Sequence, residues 1–240
     1  MKTLDFTFPT PEENLACDEA LLLERERGSA GDEALRFWEP PEPFVVLGLS
    51  NHHRAETKLA ACRDRNIPLL RRCSGGGTVL QGPGCLSYAL VLRIETPGPL
   101  QNISAANRFI LERHRQALSN LLGRPVAHQG CTDLALDGLK FSGNSQRRAS
   151  NWLLFHGTFL LRFDLALVEA LLETPSRQPA YRNGRSHTRF LTNIPVPAER
   201  VKQALREAWN AGGSLPPPPP DRISELVEKR YSRSDWNLRD

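Results

Sequence analysis

The apolar and polar positions of the chain fall into segments of two periods. Pro11 to Glu24 carries Leu15, Glu19, Leu22 and Leu23 at helical spacing, with Pro11 suited to a first turn and Gly28 closing the segment. A second helical stripe, Ile110, Leu111, Leu118, Leu121 and Leu122, predicts a helix from about Ser104 to Leu122 ended by Gly123. Shorter helices are expected at 58–65, 165–172, 201–209 and 221–229. Between them lie apolar, β-rich runs: Leu35 to Glu39, Phe44 to Gly48, Ile67 to Leu70, Cys85 to Ile94 and Trp152 to Leu161. Pro40, Pro41 and Pro43 turn the chain between the first two runs. Asp137-Gly138 between β patterns predicts a hairpin. Gly212-Gly213 followed by Pro216 to Pro220 reads as a semi-rigid spacer over 212–220. No internal repeat is present.

The 240 residues suffice for one large domain with a substantial core. A net charge of +4 favours anionic ligands or acidic partner surfaces. No basic run interleaved with aromatics marks a nucleic-acid groove, and no window approaches the roughly 20 apolar residues that span a bilayer. The N-terminus lacks a signal-peptide stretch. Five cysteines at unpaired spacings argue against a disulfide framework or a zinc knuckle, so a reducing cytoplasm is expected.

Two stretches carry candidate chemistry. In the first, Arg71-Arg72-Cys73-Ser74-Gly75-Gly76-Gly77-Thr78-Val79, the glycines lie between two strands. That position, and the missing Lys, exclude a nucleotide P-loop. The absence of a following helix excludes the dinucleotide fingerprint. Glycine amides without neighbouring Cβ atoms can curl around an anion, and guanidinium groups suit phosphate or carboxylate. The same residues could form a hairpin turn beside two surface arginines. In the second, 130–146, the hairpin sets Asp133 on one arm and Lys140 on the other, with strand alternation directing Lys140 and Ser142 to one face. An ammonium there could bridge a carboxylate and a phosphate, or it could be an exposed hairpin lysine.

The first stretch resembles the Arg-Arg-x-Ser-Gly-Gly-Gly-Ala/Thr-Val signature of lipoate–protein ligase A and its relatives in the biotin/lipoate ligase and octanoyltransferase superfamily. The likeness extends along the chain. Asn14-Leu15-Ala16-Cys17-Asp18-Glu19 resembles the opening helix. Asp133-Leu134 with Lys140-Phe141-Ser142-Gly143 resembles the family's Asn-Asp-Leu … Lys-Ile/Val-Ser-Gly segment. His156-Gly157-Thr158 resembles its His-Gly-Thr strand, and Tyr231 to Asn237 resembles its ending. Gln81-Gly82 and Phe155 depart from that pattern.

This resemblance implies an α/β fold of the α+β type, one mixed β-sheet flanked by helices, and a single catalytic domain over 1–240 without the accessory C-terminal domain of the long ligases. It implies catalytic roles for Lys140 and Asp133. It implies substrate or adenylate contacts from Arg71, Arg72, Ser74, Gly75, Gly76, Gly77, Thr78, Val79, Ser142, Gly143, His156 and Gly157. Two chemistries follow. A ligase uses ATP and Mg²⁺ to form a lipoyl- or octanoyl-adenylate, which an acceptor lysine attacks. An octanoyltransferase uses no ATP and takes the acyl group from an acyl carrier protein onto a cysteine; Cys131, two residues before Asp133, is the candidate. Three full glycines favour the ligase. The implied partner is a lipoyl acceptor domain, of a 2-oxoacid dehydrogenase E2 or a glycine-cleavage H-type protein, with an acyl carrier protein or a separate accessory chain as alternatives beside it; the missing accessory domain fits a separate partner chain, a compact ligase or a transferase. A non-catalytic relative that binds the acyl ligand is the third possibility.

Overall fold

The structure is a computed structural model that describes residues 1–28, 31–175 and 177–239. In chain order the elements are β1 (Lys2–Asp5), α1 (Pro11–Arg27), β2 (Ala34–Trp38), β3 (Phe44–Leu47), α2 (His53–Glu56), α3 (Leu59–Asp64), β4 (Leu69–Arg71), β5 (Val79–Gln81) and β6 (Cys85–Arg93). Then come α4 (Ile103–Leu122), β7 (Val126–Gln129), β8 (Asp133–Leu136), β9 (Leu139–Ala149), β10 (Trp152–Leu160), α5 (Leu165–Leu171), α6 (His187–Phe190), α7 (Ala198–Ala208), α8 (Pro220–Leu226) and α9 (Ser234–Asn237).

The helices begin and end where local chemistry directs. Thr10 and Glu13 form a reciprocal capping box at the start of α1, with Pro11 in its first turn. Asn102 caps α4, and Gly123, at φ 62°, closes it in the left-handed region. Asp137 and Gly138 both take positive φ, 51° and 76°, as a two-residue hairpin between β8 and β9 demands.

Seven strands make a mixed sheet in the order β1-β2-β6-β10-β9-β8-β7, and three more make a small sheet in the order β4-β3-β5. The single sheet expected from the sequence is therefore two. Pro40, Pro41 and Pro43 follow β2 and offer no N–H, so the ladder cannot continue into β3. β3 instead pairs parallel to β4 and antiparallel to β5, which sets the glycine stretch at one end of the small sheet.

Helices cover both faces of the large sheet. One core holds Leu35, Phe37, Tyr88, Phe141, Phe155 and Phe159 with apolar side chains of α4 and α7. The other holds Ala34, Trp38, Ala89 and Leu154 with those of α1 and α8. A third packs the small sheet against α3 and α5. Residues 182–194 were expected as a loop and strand edge. Leu191 bridges to Lys140 of β9 and Ile194 N donates to Leu160 O of β10, and before this edge lie a 3₁₀ turn, Ala180–Arg182, and the one-turn helix α6. Asn183 and Gly184 reverse the chain at positive φ, and Arg182 and Arg185 each donate Nε to the other's carbonyl, closing a local knot instead of a ladder.

Candidate active site

The glycine stretch arches between β4 and β5, and its carbonyls are gathered from below. Arg72 donates Nη2 to Gly75 O at 2.5 Å and to Gly77 O at 2.9 Å, and Ser145 Oγ donates to Gly75 O at 2.7 Å. Among the described residues the amides of Gly75, Gly76 and Gly77 have no protein partner. A Cβ on Gly75 or Gly77 would meet open space. Gly76 differs: its φ is +88°, and a Cβ would lie 2.8 Å from Arg72 Nη2. The loop thus turns the Gly75 and Gly77 carbonyls onto a buried guanidinium, and three successive amides are left without a protein partner among the described residues. Burial lowers the Arg72 pKa to about 10, still far above neutrality, so the group stays cationic.

The two arginines part company. Alternation along β4 sends neighbours to opposite sides. Arg71 is buried, and its guanidinium donates to the carbonyls of Gly48, Leu49, Asn51, Trp236 and Arg239. It clamps the 48–51 segment and the C-terminal segment together.

The hairpin brings its pair together as the sequence predicts. Lys140 Nζ lies 2.8 Å from Asp133 Oδ1. Strict alternation does not carry it there. The register shifts between Leu134, opposite Ser142, and Ala135, opposite Lys140, so β9 carries an extra residue at this point. The lysine folds back along β9 over Gly143, where an added Cβ would lie 2.9 Å from Lys140 Nζ. Gly143 clears the path and Asp133, opposite it in the ladder, anchors the end. Tyr181, from the 3₁₀ turn, donates its hydroxyl to Asp133 Oδ2 at 2.8 Å. Burial and the Asp133 charge push the Tyr181 phenol well up, so it remains a donor.

Loop and lysine meet on one face of β9. Gly143, beneath the Lys140 ammonium, and Ser145, beneath Gly75, are two residues apart, which on a strand means the same face at a spacing of ~7 Å. Opposite Ser145 on β10 stands His156. Its Nε2 is 2.5 Å from Ser74 Oγ and its Nδ1 is 3.3 Å from Asp18 Oδ2. Ser74 also accepts from Arg72 Nε at 3.1 Å.

Other expected site residues have structural surroundings. A Cβ on Gly157 would meet Asn144 Oδ1 at 1.8 Å, so this glycine admits the Asn144 side chain. Asn144 accepts from Tyr88 at 2.7 Å and donates to Thr132 O at 2.7 Å, bracing the turn before β8; Ser142 Oγ, buried, points to it at 3.4 Å. Thr78 keeps a buried hydroxyl without a partner beside the loop, and Val79 opens β5. Cys131 is exposed on the turn between β7 and β8, whereas Cys17, Cys62, Cys73 and Cys85 are buried. Sequence reading did not single out Asp18, Arg36, Ser145, Asn144 or Tyr181. A signal existed for Arg36: a charge in the alternating run Ala34-Leu35-Arg36-Phe37-Trp38 points into the α1 face.

A family model described as the lipoyl protein ligase A/B catalytic domain matches residues 10–209. The chain is 27% identical over 261 residues to an octanoyltransferase LipM of Kyrpidia tusciae, covering 94% of each chain. It is 26% identical over 251 residues to a probable lipoate-protein ligase A of Mycoplasma pneumoniae, covering 99% of this chain and 72% of that one. A chain from a structural study of a bi-partite lipoate protein ligase and its E2 lipoyl domain from Thermoplasma acidophilum has a TM-score of 0.81 at 22% identity over 99% of this chain and 96% of its own, a likeness of fold.

Proposed function

The chain belongs to the lipoyl protein ligase A/B catalytic-domain family, and on that premise we propose that it attaches a lipoyl or octanoyl group to an acceptor-domain lysine through an acyl-adenylate. The observation that carries this reading is the pairing of free glycine amides with a held ammonium. Among the described residues the amides of Gly75 to Gly77 have no protein partner, while Arg72 and Ser145 hold the carbonyls of Gly75 and Gly77. Lys140 stands about two β9 residues away. The acyl carboxylate attacks the α-phosphorus of ATP and pyrophosphate leaves. The loop amides receive phosphate oxygens, and Lys140, a compact charge, sits where negative charge grows between acyl and phosphate. The acceptor amine then attacks the acyl carbonyl and AMP departs. Asp133 and Tyr181 hold Lys140 in place; catalysis here is orientation and charge.

Mg²⁺ would enter this scheme with the nucleotide, where it would offset phosphate charge. Among the described residues no group of three His, Cys, Asp or Glu side chains is placed to hold a metal ion, and both Asp133 oxygens are engaged. The acceptor would be a lipoyl domain or an H-type protein, and the 240 residues would act as one catalytic unit with an accessory chain as partner. No helix of the described residues is long and apolar enough to cross a membrane; a cytoplasmic setting belongs to the same proposal.

A second reading, ATP-independent octanoyl transfer from an acyl carrier protein, draws on one observation. Cys131 is the exposed cysteine, on the turn that leads directly into Asp133. Its thiolate would need a cation, yet Lys140, the candidate across the hairpin, is paired with Asp133. ATP–pyrophosphate exchange tests the choice: exchange that depends on lipoate or octanoate is expected, and none with folded protein contradicts the ligase.

A further inference from the structure

Beneath the glycine loop lies a chain of polar groups that the scheme above does not use. Asp18, on α1, forms an ion pair with Arg36 of β2, and both side chains are almost wholly buried, at 4% and 0% exposure. Arg36 also donates to Asn14 O at 2.8 Å, Asn14 Oδ1 at 2.8 Å and Phe6 O at 3.3 Å, so its position is over-determined. Burial alone would raise the Asp18 pKa, but Arg36 and His156 outweigh it and hold the carboxyl below its ordinary value. Asp18 is therefore a carboxylate and accepts only. Facing it, His156 Nδ1 must carry a proton. With that one proton on the ring, Nε2, 2.5 Å from Ser74 Oγ, is the atom that would accept from the Ser74 hydroxyl. Ser74, its own proton spent, takes Arg72 Nε on a lone pair. In that tautomer every bond runs one way, from Arg72 through Ser74 and His156 to Asp18, and such chains polarise one another.

Stability alone is a weak reason for this arrangement. A buried ion pair replaced by well-packed apolar groups is often neutral or better. The chain ends at Arg72, the group that gathers Gly75 O and Gly77 O beneath the loop whose amides have no protein partner among the described residues. We propose that Asp18 and Arg36 are positioning residues which, through the fixed tautomer of His156 and the Ser74 hydroxyl, set the glycine loop to receive the phosphate of the acyl-adenylate. The proposal rests on the ligase reading for its ligand, but not for the relay itself.

Two measurements separate these. Nitrogen-15 spectra of the histidine-labelled wild-type protein at neutral pH read the tautomer directly. A His156 ring protonated at Nδ1 and bare at Nε2 is expected; a ring protonated at Nε2 overturns the relay. Titration with a non-hydrolysable octanoyl-sulfamoyl adenosine then compares wild type, Ser74→Ala, His156→Asn and the double variant. Asn keeps a donor for Asp18 and loses the acceptor for Ser74. Each single change should weaken binding about tenfold, the weight of one polarised hydrogen bond. The double variant should be no weaker than the worse single, because the residues act as a unit. Losses that multiply, or unchanged binding in both singles, overturn the proposal. Wild-type protein that binds no analogue contradicts the ligase reading instead, and the ring-nitrogen shifts then decide the relay alone.

Discussion

Gly143→Ala isolates the position of the Lys140 ammonium from its presence. The new Cβ would lie 2.9 Å from both Cε and Nζ of Lys140. Non-bonded carbon atoms rest at about 3.5–4.0 Å, so the end of the lysine must move by about 0.5–1 Å. A misplacement of that size costs about 10²-fold in rate, or ~2.7 kcal/mol on the barrier. Stability should hardly change. Gly143 has no positive φ, and the displaced atoms are the tip of a flexible side chain. Replacing a strand glycine recovers about 0.5–1 kcal/mol of backbone entropy, which offsets the local crowding. The assay is acceptor acylation followed by intact mass, with thermal unfolding as the control. Expected is a loss near 10²-fold in kcat/KM with an unfolding midpoint close to wild type. Full activity in Gly143→Ala beside an inactive Lys140→Ala would refute the geometry, since the working lysine would then not lie over Gly143.

Three further outcomes follow from the same contacts. Lys140→Ala should lose at least about 10²-fold in acyl transfer while staying folded, measured by steady-state kinetics and circular dichroism, because one charge-stabilising donor carries that weight. Gly76→Val should abolish acyl-adenylate binding in a titration, since φ is +88° there and a Cβ would press on Arg72 Nη2 at 2.8 Å; normal binding would reduce the loop to a turn. Asp18, whose folded pKa is depressed, adds stability that is present above its ordinary value of 3.8 and is lost as pH falls through the folded value. The stability gap between wild type and Asp18→Asn in urea titrations should therefore narrow below that pH, and a gap independent of pH would contradict the assignment of charge.

What the sequence made legible was local. The α1 helix announces itself through Thr10, Pro11 and the apolar stripe, and the Asp137-Gly138 hairpin places Asp133 near Lys140 within eight residues of chain. The glycine run between two strands pointed to the loop. Less legible was everything built by distant pairing. Asp18 meets His156 across 138 positions, and Ser74 meets it across 82, so no window of sequence contains the relay. Arg71 and Arg72 look equivalent as letters, yet adjacent positions at a strand end face opposite ways, one into a clamp of carbonyls and one under the loop. Glu19 had a visible signal, a charge within the α1 apolar stripe; it is fully buried against Arg147, Arg230 and Tyr231. The bulge opposite Leu134 and Ala135, which turns Lys140 back over Gly143, has no composition signal beyond Gly143 itself.

The choice between adenylate and thioester chemistry can be read in one experiment. Wild type and Cys131→Ser are each given octanoate with ATP and Mg²⁺, or octanoyl carrier protein without ATP, in the presence of an unmodified lipoyl acceptor domain, and every protein is weighed intact. The account predicts one octanoyl group on the acceptor with ATP only, and a Cys131→Ser rate within a few-fold of wild type, because the acyl group travels on AMP. An ATP-independent octanoyl adduct on Cys131 that passes to the acceptor, and disappears in Cys131→Ser, would contradict it.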